Sequence, residues 1–383
     1  MKCNGIDALS GAAVEITASA VIDGVDHLIS PPANLPLAAP GFIDIQVNGF
    51  AGVDYCSPDA PHERIGESIR RMYATGVTRF FPTVITGTPE NMIGAIRNLA
   101  RAKASIPEGV AMEGLHIEGP HISPEDGPRG AHPQRCVRPP DYDEFQRWQE
   151  AADGHIRLVT VSPEWPGTAS YIEKVTRGGV AISIGHTKAN AEQIEAAVQA
   201  GATLSTHLGN GAHSMLARHP NYIWEQLAQD RLAASFIVDG IHLGPAFLKT
   251  ALRAKGIERS ILITDAVMPA ECEPGPYMLG EVEVELRADG SVRLRGGNRL
   301  AGSVLTMDRG VSNLMRIAGL DLREAITMAT INPARIGRIG SRRRGLQVAD
   351  RADVVLFDLD RATKQITVRE TYVSGERVYR KAA

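Results

Sequence analysis

Short apolar runs alternate with stretches of helical periodicity through the middle of this 383-residue chain. The pattern is clearest at residues 180–205. Val180 to Ile184 is an apolar run, and Ala191, Ile194, Ala197 and Val198 then recur on one helix face before Gly201 stops the helix and Ala202 to Ser205 starts another strand. Further strands are predicted at 41–48, 77–81, 110–116, 156–161, 233–238 and 260–264, making eight. Helices are predicted at 63–74, 90–104, 141–152, 191–200, 223–229 and 246–254. Strands alternating with helices imply a parallel sheet with helical crossovers.

The two ends of the chain read differently. Residues 13–17 and 25–29 alternate as strands and run into a Pro-rich connection at 31–36; the tail repeats the strand and turn pattern at 352–358, 366–368 and 370–376. Each end alone is too short for an independent β domain. The predicted fold is therefore α/β: a (β/α)8 TIM-like barrel over 41–339, with a small β-sandwich domain built from both termini, 1–40 and 340–383. Alternation around Asp289-Gly290 marks a β-hairpin insertion near 277–297, ahead of helices near 303–318 and 322–330.

Composition narrows the function classes. A net charge of -3, with no Lys/Arg run interleaved with aromatics, excludes an electrostatic footprint for nucleic acid; the Arg342-Arg343-Arg344 run reads as a solvated turn. Four scattered cysteines form no C-x-x-C pair, which fits a reducing cytoplasm better than a disulfide framework. No segment is apolar enough to span a bilayer, and the N-terminus has no signal-peptide core. Walker, G-x-S-x-G, H-E-x-x-H and dinucleotide-binding patterns are absent.

In such a barrel, chemistry sits where strands end. The first strand is followed by Asp44, Gln46 and Asn48, the third by His116, Glu118 and His121, the fifth and sixth by His186 and His207, the seventh by Asp239 and His242, and the eighth by Asp265. A lone histidine after a strand is usually only a hydrogen-bonded loop residue. Two at equivalent positions of successive units favour a shared job. Glu118, His186 and His207 form an N/O donor set for one divalent metal, zinc or another transition metal, with a position left for water. Asp265 leaves a nearly all-apolar strand into the same mouth, where a carboxylate moves protons; the bland reading is a helix cap.

Several stretches together resemble the N-acetylglucosamine-6-phosphate deacetylases of the amidohydrolase superfamily. They are Gly41 to Gly49, His116-Ile117-Glu118-Gly119-Pro120, Gly185-His186-Thr187, Thr206-His207-Leu208, Asp239-Gly240-Ile241-His242, Thr264-Asp265-Ala266 and Leu300-Ala301-Gly302-Ser303. The resemblance implies a hydrolase that removes acetate from N-acetyl-D-glucosamine 6-phosphate: water activated by the metal attacks the amide carbonyl and Asp265 shuttles the proton. Many amidohydrolases hold a second metal with His-x-His on the first strand; Gln46-Val47-Asn48 resembles the one-metal members. By the same resemblance His132 contacts the scissile amide or sugar, His242 binds the sugar, and Asn210 and Gly211 hold the phosphate. Arg218 corresponds to an arginine that reaches the phosphate of the neighbouring subunit, implying a homodimer.

One stretch departs from the pattern. Relatives usually read an aromatic followed by Asn-Ala-Met-Pro, whereas this chain has Gly209-Asn210-Gly211-Ala212-His213-Ser214-Met215. That leaves open a related N-acetyl amino sugar of another epimer or without phosphate. Two rival readings differ more: a dihydroorotase-like enzyme or N-acyl-amino-acid deacylase, and a non-catalytic barrel that only binds amino sugars.

Overall fold

The computed structural model describes residues 1–340 and 344–382, so Arg342 and Arg343 of the arginine run lie outside the described residues. Eight parallel strands form the central sheet: β1 (Phe42–Val47), β2 (Val77–Ile85), β3 (Leu115–Glu118), β4 (Ile156–Val161), β5 (Ala181–Ile184), β6 (Ala202–Ser205), β7 (Ala233–Ile237) and β8 (Ser260–Ile263). They are neighbours in chain order. The first and last meet at their ends, where Asp265 N donates to Gln46 O at 3.0 Å, Asn48 N donates to Ala266 O at 2.7 Å, and Val47 bridges Ala266. The sheet is thereby rolled into a (β/α)8 barrel, as the alternation predicts.

Its strands are apolar because both faces are covered. Ile117, Val159, Ile182 and Phe236 face the helical ring, which supplies Ile69, Leu99, Ile172 and Val198 in return. Ile43, Leu158, Ala181 and Ile261 fill the interior at the end of the barrel closed by Ala334 and Ile339. Further along the same strands the interior turns polar. His116 Nε2 lies 2.8 Å from Thr160 Oγ1, which lies 2.8 Å from Thr206 Oγ1. Glu118, His186 and His207 follow at the open end.

The termini join in one seven-stranded sheet, in the order Glu376–Arg380, Ile366–Val373, Val354–Leu359, Leu37–Pro40, Lys2–Asp7, Ala13–Ala18 and Ile22–His27. One face buries Val14, Ile16, Val354 and Leu356 together; the other lays Val355, Phe357 and Val368 on the barrel. Arg79 of β2 and Asp353, both buried, pin the two sheets together at 2.6 Å.

The structure corrects several sequence expectations. The expected hairpin is a three-stranded sheet, Gly275–Leu279, Val282–Leu286 and Val292–Leu294, with Asp289-Gly290 at its second turn. The third barrel strand starts at Leu115 rather than at 110, because Pro107–Ala111 is a 3-10 turn. A helix at Thr168–Arg177, between β4 and β5, went unpredicted. It opens on Gly167 with no side-chain cap, after Trp165-Pro166, so its start carries the residues of a loop.

Candidate active site

The site is assembled from strand ends. Glu118 is the last residue of β3, and His186, His207 and Asp265 follow β5, β6 and β8. Those three turn out of their strands at φ of 49°, 30° and 50°, in the left-handed region that non-glycine residues seldom occupy. Such a turn costs on the order of 1–3 kcal/mol per residue and is retained where surrounding structure imposes it. Here it swings each side chain over the mouth of the barrel.

Glu118 Oε1 lies 2.8 Å from His207 Nε2 and 3.1 Å from His186 Nε2, and the two imidazole nitrogens are 3.1 Å apart. All three residues are buried. His186 is cradled by glycines: a Cβ on Gly211 would stand 2.6 Å from its Nδ1, and one on Gly130 would stand 3.0 Å from its Cε1. Its Nδ1 lies 2.8 Å from the Pro128 carbonyl, which only accepts, so Nδ1 carries a hydrogen and Nε2 is the nitrogen turned toward Glu118 and His207.

Two imidazole nitrogens crowded onto one carboxylate oxygen call for a positive charge among them, either a proton or a metal cation. Burial raises the Glu118 pKa, yet the bonds to His186 and His207 outweigh it and hold the carboxyl well below its usual range. Burial lowers the His207 pKa, yet the Glu118 carboxylate outweighs that and raises it. The triad therefore favours a cation, and two imidazoles with one carboxylate suit a divalent transition metal. This is the group expected from sequence.

Asp265 stands beside them. Its Oδ1 accepts from Asn48 Nδ2 at 2.7 Å and Gln46 Nε2 at 3.1 Å, so the Gln-x-Asn motif of β1 holds this carboxylate with two amides. Burial first, then the Glu118 charge, pushes the Asp265 pKa up to about 6. Behind it Asp44 accepts from Thr264 Oγ1 and from the Thr264 and Gln46 backbone, and burial pushes its pKa up to about 7.

A cleft of about 620 Å³ opens over these groups. It is lined by His132, Asn210, Gly211 and His242 as well as by the triad and Asp265. His132 packs edge-on against His186 with ring centroids 4.4 Å apart; burial first, and His186 next, push its pKa down to about 3, so it is neutral at working pH. His242 Nδ1 is 2.6 Å from Asp239 Oδ2. Asn210 binds the His207 carbonyl through Nδ2 at 3.2 Å.

Three residues singled out in the sequence fall elsewhere. His121 is stacked on Trp148 at 5.2 Å and edge-on to Tyr171, among the outer helices rather than in the cleft. His116 points into the barrel beneath the triad, where burial pushes its pKa down to about 4. Arg218 is exposed within the exposed run 214–220 and does not line the cleft of its own chain. Thr86, directly after β2 and 2.8 Å from His132 Nδ1, escaped the sequence reading. Applying the strand-end rule to β2 would have found it.

A barrel whose strand ends gather two imidazoles and a carboxylate at one point, beside an aspartate held by amides, defines the class of metal-assisted barrel hydrolases. The sequence pattern of the amidohydrolase family matches residues 37–378. The N-acetylglucosamine-6-phosphate deacetylase of Bos taurus is 36% identical over 90% of this chain and 83% of its own length, and that of Vibrio furnissii is 30% identical over 95% and 88%. The crystal structure of the Mycobacterium smegmatis N-acetyl-D-glucosamine-6-phosphate deacetylase superposes with a TM-score of 0.86 at 28% identity, covering 96% of each chain. That of Thermotoga maritima gives 0.86 at 25% identity, covering 99% of each. The chain belongs to the amidohydrolase family and, within it, groups with the N-acetylglucosamine-6-phosphate deacetylases.

Proposed function

We propose that this chain hydrolyses N-acetyl-D-glucosamine 6-phosphate to D-glucosamine 6-phosphate and acetate. The observation that carries the reading is the convergence of Glu118, His186 and His207 within 3.1 Å of one another, beside an anchored Asp265, in a member of this family. Those three would hold one divalent metal per subunit, with zinc favoured by the mixed imidazole and carboxylate donors. When bound, such a cation acidifies water to a pKa of about 7 and polarises a carbonyl.

The chain's own groups do the rest. Asp265, with Oδ1 fixed by two amides, keeps Oδ2 free to take the proton of the attacking water. It then delivers that proton to the amide nitrogen as the C–N bond breaks, so one water is consumed and acetate and the free amine leave. Neutral His132 donates to the carbonyl oxygen as negative charge builds there. His242, oriented by Asp239, binds a sugar hydroxyl, and Asn210 and Gly211 hold the phosphate.

Arg218 completes the phosphate site of a neighbouring subunit in a homodimer. Its exposure, with Met215 88% and Trp224 48% exposed on the same segment, supports a partner at this face. The terminal segments 1–40 and 340–383 form the discontinuous second domain beside the 41–339 barrel. A cytoplasmic setting fits the four free cysteines; among the described residues no helix is long and apolar enough to cross a membrane.

The test is acetate release by the zinc-loaded protein from N-acetylglucosamine 6-phosphate, unphosphorylated N-acetylglucosamine and a panel of N-acyl amino acids. Preference for the phosphorylated sugar supports the reading. Preference for the free sugar redirects it to an unphosphorylated substrate, turnover of acyl amino acids overturns it, and binding of sugar without acetate release leaves a binding protein.

A further inference from the structure

His132 can donate to a substrate carbonyl only if its neutral ring carries the hydrogen on Nε2. The ring is buried and meets a hydroxyl rather than a carboxylate at Nδ1, the setting of a neutral imidazole with one bare nitrogen. Which one is decided by whatever meets Nδ1, and among the described residues only Thr86 does, with Oγ1 at 2.8 Å. Both residues are buried.

Two arrangements are possible for this pair. In one, Nδ1–H donates to Thr86, whose hydroxyl hydrogen must then find another acceptor; among the described residues the one in reach is the Glu118 carbonyl at 3.5 Å, the outer limit of a hydrogen bond. In the other, the hydroxyl donates to Nδ1 at 2.8 Å, a normal length for a strong bond, and the ring hydrogen is left on Nε2 toward the open cleft. The second is favoured. We propose that Thr86 is the positioning residue for His132: its hydroxyl donates to Nδ1, which places the ring hydrogen on Nε2, facing the cleft.

Other features agree with this direction. His132 lines the cleft, and among the described residues Nε2 has no protein partner, which leaves it for substrate. Thr86 directly follows β2, a rigid buried strand, so its hydroxyl is placed by the barrel rather than by a loop. His132 itself sits in the turn after Arg129, whose guanidinium binds the His132 carbonyl at 2.8 Å. The loop thus carries the ring, and the barrel wall chooses its tautomer. The inference rests on the role proposed for His132 above.

Nitrogen-15 NMR on the zinc-loaded, histidine-labelled protein reads the tautomer without substrate, with His132→Asn assigning the signal. The expected pattern is hydrogen on Nε2 in the wild type and in Thr86→Ser, and a shift of population toward Nδ1–H in Thr86→Val. Acetate release should fall about 10- to 100-fold in kcat for Thr86→Val, the usual range for a group that orients a working histidine, with KM changed less than about 3-fold and with recovery in Thr86→Ser. Hydrogen on Nδ1 in the wild type, or unchanged kcat in a folded Thr86→Val, overturns the proposal. If Thr86→Val does not fold, the wild-type spectrum decides. Absence of any deacetylation by the wild type defeats the proposed function, while the spectrum still decides the direction of the Thr86–His132 bond.

Discussion

Asn48, one residue past the first barrel strand, donates its amide to Asp265, two residues past the eighth, at 2.7 Å across a sequence separation of 217. The bond lies at the seam where the barrel closes. Closure of the sheet and placement of the candidate proton-transfer group are therefore one event. Asn48→Ala should leave metal content intact and lower kcat about 10- to 100-fold, the usual cost of losing a group that orients a working side chain. Because the bond favours the ionised carboxylate, its loss should also move the acid limb of activity to higher pH. Unchanged kcat and pH profile would show that Gln46 alone suffices.

Asp265→Asn keeps the shape and removes the proton acceptor. Turnover should fall by about 10³-fold or more, with metal content and melting temperature near wild type. Activity within tenfold of wild type would remove Asp265 from the mechanism.

Asp265 works as a base only when ionised. Burial and Glu118 raise its pKa to about 6, and a cation at the triad lowers it, so kcat/KM should fall with acid at a midpoint no higher than about 6. A midpoint above 7 in the metal-loaded enzyme would assign the limb to another group.

Asp44 titrates in the opposite sense for stability. Burial raises its folded pKa to about 7 from the ordinary 3.8, so the folded state binds the extra proton between those values and stability is lost as pH rises through that window. Asp44→Asn removes this pH dependence. Relative to wild type, its melting temperature should improve between pH 5 and pH 8; a gap independent of pH would place the Asp44 pKa near the ordinary value.

Arg218 and Asp265 give a test of the shared site. Arg218→Ala and Asp265→Asn should each be nearly inactive on the phosphorylated sugar, but mixed dimers contain one site with both residues intact. Co-refolding the two variants should restore up to about a quarter of wild-type activity. No recovery in verified mixed dimers would place Arg218 outside the partner's site.

The barrel was legible because its strands must be apolar on both faces and its helices on one, a rhythm visible in a single sequence. Glu118, His186 and His207 were legible for a related reason: a polar residue directly after a buried strand has few places to go but the mouth of the barrel. The helix at Thr168–Arg177 was not, since its N-cap is Gly167, which has no side chain to cap it and follows Trp165-Pro166 as a turn would. His121 obeys the strand-end rule yet packs between Trp148 and Tyr171, because turning away from the mouth buries its ring against two aromatics.

The sequence by itself thus determined the alternating architecture, the joining of the two termini and the identity of the triad, all of which follow from the local period of burial. Only the tertiary structure decided that Gln46 and Asn48 grip Asp265, that Pro128 fixes which nitrogen of His186 faces Glu118, and that Thr86 meets His132. Those choices depend on side-chain distances between segments far apart in the chain. Hydrogen bonds reward tenths of an ångström, and no periodicity along a strand encodes that.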